Sequence, residues 1–137
     1  MTSYKLVDFK TLGDDRGSLI AIEEGYNAPF DIKRVYYIFD TKEGVERGFH
    51  AHINLKQMAI VVKGSCTFVL DNGNKKEEIH LTNPNQGLLI EGLIWREMKN
   101  LFSVTVGKYP VNGCFQKYGR YWMKVRRSMK IRMHFLK

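Results

Sequence analysis

The fold class is decided by the stretch Ser65-Cys66-Thr67-Phe68-Val69-Leu70-Asp71-Asn72-Gly73-Asn74. A run of apolar and β-branched residues ends here in an Asn-Gly pair, which is the strongest short-range signal for a β-hairpin. Similar short runs, separated by turns rich in Gly, Pro and Asn, occupy residues 4–9, 18–23, 33–39, 58–62, 79–81, 87–90 and 101–106. Short strands at this spacing are typical of a β-sandwich or barrel. We therefore predict an all-β fold, either a sandwich or a jelly-roll barrel.

The size and composition of the chain favour a single globular domain. Its 137 residues, 44% of them hydrophobic, suffice for one core, so we predict one domain over residues 1–137. The apolar runs are too short to cross a bilayer, and the N-terminus lacks the pattern of a signal peptide. We expect a cytoplasmic protein with no membrane partner. The two cysteines do not form a disulfide framework, and Cys66 reads as a small core residue.

The positive charge of the chain is confined to its C-terminal part. Residues 1–100 carry 13 Lys or Arg and 14 Asp or Glu, whereas residues 101–137 carry nine Lys or Arg and no acid. In this atypical basic segment, residues 118–135 have apolar positions at helical spacing, so we predict a short C-terminal helix that packs on the barrel. The alternative is a basic amphipathic helix that meets an anionic surface or nucleic acid.

Two histidines stand out in the stretch Arg47-Gly48-Phe49-His50-Ala51-His52. In a strand, residues i and i+2 project to the same face, so we expect the two imidazoles to lie together and, in a barrel, to point inside it. Such a pair serves as a metal site, as an acid/base pair or as a satisfied polar pair. Arg47 beside it favours a functional site over a structural one.

The spacing of Gly44, His50, His52 and Gly64 resembles the first cupin motif, with one important difference. Gln57 stands where metal-binding cupins carry glutamate, and the region of the second motif, residues 84–98, contains no histidine. An amide and the guanidinium of Arg96 are poor metal ligands. We therefore expect no metal ion at this site.

A metal-free pocket of this composition suits proton transfer on an anionic, sugar-like substrate. Imidazole titrates near neutral pH and both removes and returns protons, while arginine matches phosphate oxygens. The adjacent Tyr36 and Tyr37 should face opposite ways, one into the pocket and one to the outer or dimer surface. Periodicity does not decide which. The candidate anion-binding residues are Arg16, Arg34, Arg47 and Arg96.

Four segments together resemble the dTDP-4-keto-6-deoxyglucose 3,4-ketoisomerases, a family of sugar-nucleotide cupins. They are Asp15-Arg16-Gly17-Ser18-Leu19, the run from Pro29 to Ile38, the His-pair segment and Trp95-Arg96-Glu97-Met98. The resemblance covers residue 4 to about residue 100 and is lost from Leu101 onward. It implies a homodimer of jelly-roll subunits with exchanged N-terminal strands, no cofactor, and a reaction on the way to surface glycans.

The resemblance, together with the chemistry of the reaction, suggests roles for individual residues. The family's paired histidines fall on His50 and His52, and its pocket tyrosine falls on Tyr37. From the chemistry of the reaction we favour His52 as the main base, with His50 as its partner. Gln57 would orient an imidazole or a sugar hydroxyl. The substrate's pyrophosphate and sugar oxygens would be bound near Arg16, Arg34, Arg47, Arg96 and Glu97. Arg96 stands where a relative can carry histidine, which favours a product of gluco (quinovose-type) over galacto (fucose-type) configuration.

Three alternative functions remain open at this point. A dTDP-sugar epimerase would use a similar pocket and exchange protons at C3 and C5. A non-catalytic sugar-binding cupin would bind the nucleotide sugar without moving its ketone. A nucleic-acid-binding protein would use the basic tail with a steep salt dependence, but it leaves the histidine pair unexplained, so we expect no nucleic-acid partner.

Overall fold

The structure, a computed structural model, describes residues 3–101, and beyond them the backbone of residues 104–110, 121–125 and 131–135. Throughout this part of the chain the secondary structure consists of strands and turns, so the predicted all-β class is confirmed. In chain order the strands are β1 Ser3–Asp8, β2 Leu12–Asp14, β3 Gly17–Leu19, β4 Arg34–Ile38, β5 Arg47–His50, β6 Leu55–Ile60, β7 Cys66–Asp71, β8 Lys76–Leu81, β9 Gln86–Glu91, β10 Trp95–Lys99, β11 Val104–Pro110, β12 Tyr121–Val125 and β13 Ile131–Phe135.

Two antiparallel sheets form the body of the molecule. The five-stranded sheet has the order β1-β9-β6-β11-β4, and the four-stranded sheet has the order β5-β10-β7-β8. Apolar side chains from both sheets meet in one core, which includes Ala59 and Leu88 from the first sheet and Phe68 and Met98 from the second. This is the layered packing of a jelly-roll barrel, in which alternate residues of each strand face inward.

The β7–β8 hairpin forms where the Asn-Gly pair predicts it. Oδ1 of Asn72 accepts hydrogen bonds from the backbone nitrogens of Asn74 and Lys75 at 2.9 and 2.8 Å. Gly73 takes a φ of 90°, which costs a glycine little. The turn sets the register so that Cys66, Phe68 and Leu70 point into the core. The interpretation of Cys66 as a core residue is confirmed.

The outer face of the five-stranded sheet is also apolar. Met58 and Leu89 project there, and Phe9, Ile22 and Phe30 from the segments between strands pack over them. The cover is incomplete, because it leaves an apolar groove of about 170 Å³. Its lining residues are Ile22, Ala28, Phe30, Ile32, Val35, Met58 and Ile60.

The helix predicted over residues 118–135 is not confirmed. The described backbone of this range forms two antiparallel strands, β12 and β13, while residues 118–120 and 126–130 lie outside the described residues. The sequence of β12, Tyr-Trp-Met-Lys-Val, is rich in aromatic and β-branched residues, which prefer strands, and this preference outweighs the helical spacing. Among the described residues there is no helical segment of the length and hydrophobicity that a membrane span requires.

Candidate active site

The candidate site lies on the inner face of the four-stranded sheet, where β5 pairs with β10. His50 is directly opposite Arg96, and on the other side of β10 Arg96 is opposite the core residue Leu70. Residues opposite one another in antiparallel strands share a face of the sheet. His50 and Arg96 therefore project together toward the interior of the barrel.

A β-bulge interrupts β5 just before His50. Gly48 is opposite Glu97 and His50 is opposite Arg96, so Phe49 is an extra residue with no counterpart on β10. Gly48 and Phe49 both have positive φ, at 96° and 55°. For a bulky residue such as Phe49 this is a strained conformation, which costs on the order of 1–3 kcal/mol and is found mainly at functional sites.

The two histidine rings lie against each other. Their centroids are 4.6 Å apart and their planes are inclined by 78°, an edge-to-face arrangement. His52 lies just beyond the end of β5 and is only 7% exposed, while His50 is half-buried. The structure thus brings together the pair that the sequence placed on one face, although the second histidine follows the strand and is not part of it.

Arg96 is the most deeply buried charged residue among those described. It is 1% exposed, and its Nη1 donates a hydrogen bond to Oε1 of Gln57 at 2.5 Å. Nε and Nη2 donate to the carbonyl oxygen of Ile94 at 3.3 and 3.2 Å. Burial lowers the pKa of Arg96 to about 10, so the guanidinium remains charged at neutral pH. The sequence suggested that Gln57 orients an imidazole or a sugar hydroxyl, whereas here it holds Arg96.

The adjacent tyrosines of β4 point to opposite faces of the sheet, as successive residues of a strand do, and Tyr36 is the one that faces inward. Tyr36 packs against the core and interacts electrostatically with Arg96, whereas Tyr37 is 67% exposed on the opposite face of the sheet. Burial raises the pKa of Tyr36 to about 12, an effect that the charge of Arg96 partly opposes. The structure therefore corrects the placement of Tyr37 in the pocket, because the alternation of β4 gives the inner position to Tyr36.

The remaining predicted arginines lie at different distances from this centre. Arg47 is opposite the core residue Met98 in the register, and Arg34 is two residues before Tyr36 on the same strand. Both thus share the inner face but are exposed, as expected for residues at the rim of the pocket. Arg16 is not at the pocket of its own chain. It pairs with Asp14 at the tip of the β2–β3 hairpin, where its side chain is 85% exposed.

Glu97 is also separated from the histidines. It neighbours Arg96 in β10 and so projects to the other face, where Oε1 accepts a hydrogen bond from Nε1 of Trp95 at 2.9 Å. Lys76 and Lys99 pair with the same carboxylate at 3.7 and 3.9 Å. These contacts give Glu97 a role in the outer surface of the sheet and not in the pocket.

The donor atoms around the histidines are a poor match for a metal ion. Among the described residues, no group of three or more His, Cys, Asp or Glu side chains is placed to hold one. Oε1 of Gln57, at the position of the cupin carboxylate, accepts a hydrogen bond from a cation. The guanidinium of Arg96, which is bound to Gln57, would repel a metal ion placed here. The arrangement instead suits proton transfer beside a developing negative charge, with imidazoles as acid and base.

The family described as "FdtA: WxcM-like, C-terminal" matches residues 2–107. The chain belongs to this family. The TDP-4-oxo-6-deoxy-alpha-D-glucose-3,4-oxoisomerase of Aneurinibacillus thermoaerophilus is 52% identical to this WxcM-like chain over 99 residues, which make up 72% of the chain and 71% of that protein. The predicted family is thereby confirmed.

Solved structures lead to the same family. The TDP-quinovose 3,4-ketoisomerase WlaRB of Campylobacter jejuni is 43% identical, with a TM-score of 0.77 over 82% of this chain and 88% of that one. QdtA of Thermoanaerobacterium thermosaccharolyticum, a sugar 3,4-ketoisomerase solved in complex with TDP, is 36% identical, with a TM-score of 0.76 over 79% of this chain and 81% of that one. This WxcM-like protein is therefore an isomerase with the predicted cupin fold.

Two features of the WxcM-like site escaped the sequence reasoning. One is the inward position of Tyr36, which the alternation of residues 34, 36 and 38 would have indicated once Ile38 was assigned to the core. The other is the bulge at Gly48 and Phe49, for which the sequence offers only one signal, a glycine inside a predicted strand. Both depend on which residue of a strand faces the core, and this is set by pairing with distant strands.

Proposed function

We propose that the protein is a sugar-nucleotide 3,4-ketoisomerase that converts dTDP-4-keto-6-deoxyglucose into a dTDP-3-keto-6-deoxyhexose. The observation that carries this proposal is the contact between the rings of His50 and His52 beside the buried, charged Arg96. These three side chains would supply a base, an acid and a fixed positive charge. The names of the 3,4-oxoisomerase and 3,4-ketoisomerase relatives support the substrate class.

The reaction needs one proton moved between two neighbouring carbons. The C4 ketone acidifies the proton on C3, and a histidine removes it to form an enediolate across C3 and C4. The O3 hydroxyl loses its proton as the C3 ketone forms, O4 gains one as it becomes a hydroxyl, and a proton is returned to C4. Two imidazoles in contact supply an acceptor and a donor for these transfers without any external reductant or oxidant.

The enediolate carries negative charge that the pocket can stabilise. Arg96 holds a permanent positive charge in a buried position, and Gln57 fixes its orientation by a direct hydrogen bond. Tyr36 stays protonated at neutral pH because burial raises its pKa to about 12, so its hydroxyl is a hydrogen-bond donor. Preorganised donors of this kind contribute about 10²–10³ in rate each. We assign to Tyr36 the role that the family resemblance suggested for Tyr37.

The product is proposed to have the gluco configuration at C4, in line with the similarity to a TDP-quinovose 3,4-ketoisomerase.

Arg34 and Arg47 at the rim are proposed to bind the pyrophosphate. Both are exposed cations on the strands that border the pocket, and the forked guanidinium matches phosphate oxygens in pairs.

The enzyme is further proposed to act as a homodimer in which each N-terminal hairpin reaches the other subunit. The β2–β3 hairpin is exposed along its whole length, yet it carries an apolar pair, Leu12 opposite Leu19. An exposed apolar pair on a projecting hairpin is the kind of surface that packs against another chain. In such a dimer Arg16, at the hairpin tip, would bind substrate in the partner's pocket.

The proposed reaction is tested by incubating the protein with dTDP-4-keto-6-deoxyglucose in deuterated buffer and following it by proton and carbon NMR. A 3,4-ketoisomerase yields a 3-keto product labelled with deuterium at C4, and the couplings at C4 report its configuration. Label at C3 and C5 with retention of the 4-ketone indicates an epimerase. Binding of the nucleotide sugar without any exchange indicates a non-catalytic cupin and contradicts the proposal.

Variants of the histidines assign the proton transfer to this site. His50→Asn and His52→Asn should each fold and lose nearly all turnover, and the larger loss identifies the main base, for which the sequence reasoning favours His52. His80→Asn is the matched control, because His80 is an exposed histidine on β8 whose Nδ1 lies 2.9 Å from the hydroxyl of Thr67. A folded His52→Asn variant with unchanged turnover removes His52 from the mechanism.

A further inference from the structure

We propose that the β-bulge at Gly48 and Phe49 is a positioning device for His50. In this proposal the bulge turns the ring into the pocket and holds its neutral form as the tautomer protonated on Nδ1, which leaves Nε2 as the proton acceptor. Gly48 and Phe49 act through His50 and do not touch the substrate. The catalytic consequence rests on the proposed ketoisomerase activity, whereas the tautomer is a property of the protein alone.

The first step of the argument concerns the direction of the side chain. Arg47 is opposite Met98, a core residue, so position 47 of β5 shares the inner face of the sheet. In a regular strand the next inner position would be Phe49, and His50 would point outward. The extra residue resets the alternation, so His50 comes opposite the buried Arg96. Without the bulge, the histidine and the phenylalanine would exchange faces.

The second step concerns the protonation of the ring. Nδ1 of His50 lies 2.7 Å from the carbonyl oxygen of Gly48, at hydrogen-bond distance. A carbonyl oxygen has no proton to give, so the ring nitrogen must be the donor. Neutral imidazole carries one N–H only, and placing it on Nδ1 leaves the lone pair on Nε2. A backbone carbonyl that fixes a histidine in this way also fixes the orientation of the ring.

The third step concerns the backbone that makes this contact. Gly48 tolerates its φ of 96°, and a Cβ at this position would lie 2.7 Å from the carbonyl oxygen of Arg96. Phe49 adopts a φ of 55°, which its side chain disfavours, although the ring is 40% exposed and so is not held there by deep burial. A strained residue at this point is consistent with a conformation kept for the geometry of the neighbouring histidine.

The test compares two substitutions that both remove the phenyl ring but differ in backbone preference. Phe49→Asn keeps a residue that readily adopts positive φ, whereas Phe49→Val introduces a β-branched residue that does not. Long-range proton–nitrogen NMR on protein labelled with ¹⁵N-histidine distinguishes the two tautomers. The chain has four histidines, and the spectrum of His50→Asn identifies the signals of His50.

We expect the unsubstituted protein and Phe49→Asn to show His50 protonated on Nδ1, and Phe49→Val to lose this preference. With the substrate, Phe49→Val should lower kcat by about 10²-fold, the scale of a misplaced catalytic group, and change KM much less, because the arginines are intact. Phe49→Asn should keep kcat within a few-fold.

Three results overturn the proposal. The first is a neutral His50 protonated on Nε2 in the unsubstituted protein, a measurement that needs no variant to fold. The second is a Phe49→Val protein that keeps both the tautomer and kcat. The third is an equal loss in Phe49→Asn and Phe49→Val, which would assign the effect to the phenyl ring. If the tautomer is as expected but no substrate turns over, the proposed function fails and the inference about the bulge stands.

Discussion

At the scale of single residues, Arg96 illustrates a conflict between stability and function. Its charge is buried, and its hydrogen bonds described here go to neutral oxygens of Gln57 and Ile94. Burial lowers its pKa from 12.5 to about 10, so at neutral pH the folded state binds this proton less well than the unfolded state and loses stability. We propose that Arg96 is retained for what its charge does in the pocket.

Replacing Arg96 with methionine should therefore separate the two properties. We expect Arg96→Met to change the free energy of unfolding by no more than about 1–2 kcal/mol in either direction, because relief of the buried charge offsets the lost hydrogen bonds. Its kcat/KM should fall at least about 10²-fold. Chemical denaturation and steady-state kinetics measure the two effects, with Phe68→Ala in the core as a control that should lose about 3–5 kcal/mol. Unchanged kcat/KM in Arg96→Met contradicts the role of the charge.

Tyr36 gives a prediction about alkaline pH. Its folded pKa, about 12, lies above the ordinary value of 10, so the protonated phenol stabilises the fold fully below about pH 10 and this contribution is lost as the pH rises toward 12. The difference in unfolding free energy between the unsubstituted protein and Tyr36→Phe should decrease between about pH 9 and about pH 12. Making the comparison in an Arg96→Met background removes the contribution of Arg96, whose lowered pKa acts with the opposite sign and depends in part on Tyr36. A difference that is constant across this range would show that Tyr36 is not buried as described.

At the scale of strands, β4 places two neighbouring tyrosines on opposite faces of one sheet. Tyr36 is directed to the pocket and Tyr37 to the outer face. We expect Tyr36→Phe to lower kcat by about 10²–10³-fold with little effect on folding, because one preorganised donor is removed. Tyr37→Phe, the matched control one residue away, should leave kcat within a few-fold. Kinetics on both variants checks this, and the opposite ranking would return the catalytic role to Tyr37.

The strands also show how far local sequence reasoning reaches. The β7–β8 hairpin was predictable because the Asn-Gly turn and the alternation of Cys66, Phe68 and Leu70 lie within one short segment. The contact between the two histidines was predictable from their spacing, but strand alternation explains it only in part. β5 ends at His50, and the bulge before it sets the direction of the His50 side chain. The inward position of Tyr36 and the hydrogen bond between Gln57 and Arg96 both depend on residues far apart in the chain. Their arrangement follows from the register of two sheets, which no single segment encodes.

At the scale of the whole molecule, the outer surface of the five-stranded sheet carries several exposed apolar side chains. Val35 and Tyr37 of β4 are exposed there, Phe39 just after this strand is also exposed, and Val35 lines the apolar groove. With the apolar pair of the β2–β3 hairpin, this surface is suited to cover by a second copy of the chain. The same dimer would explain why Arg16, named by the sequence as a substrate-binding residue, lies far out on the hairpin and not in its own pocket.

If the hairpins are exchanged, two inactive variants should complement each other in a mixed dimer, which is impossible if each subunit forms its site alone. If Arg16 serves the partner's pocket, each active site contains His52 from one chain and Arg16 from the other. Arg16→Ala and His52→Asn then remove groups that belong to different chains of the same site. A heterodimer of the two variants then has one site with both groups intact, namely His52 from the Arg16→Ala chain and Arg16 from the His52→Asn chain. Each variant alone should be nearly inactive, while co-expression with random pairing should restore roughly a quarter of the turnover, since half of the dimers are mixed and each has one complete site.

The control for this complementation is the pair Arg96→Met and His52→Asn. Arg96 and His52 lie on the inner side of the same subunit's barrel, so a mixed dimer of these variants contains no complete site and should stay inactive. Two different affinity tags on the two chains, used in successive purification steps, isolate the mixed dimers and establish that they are present. If Arg16→Ala and His52→Asn also fail to complement in such dimers, Arg16 does not act across the interface, because an arginine serving its own subunit leaves both sites of the heterodimer defective.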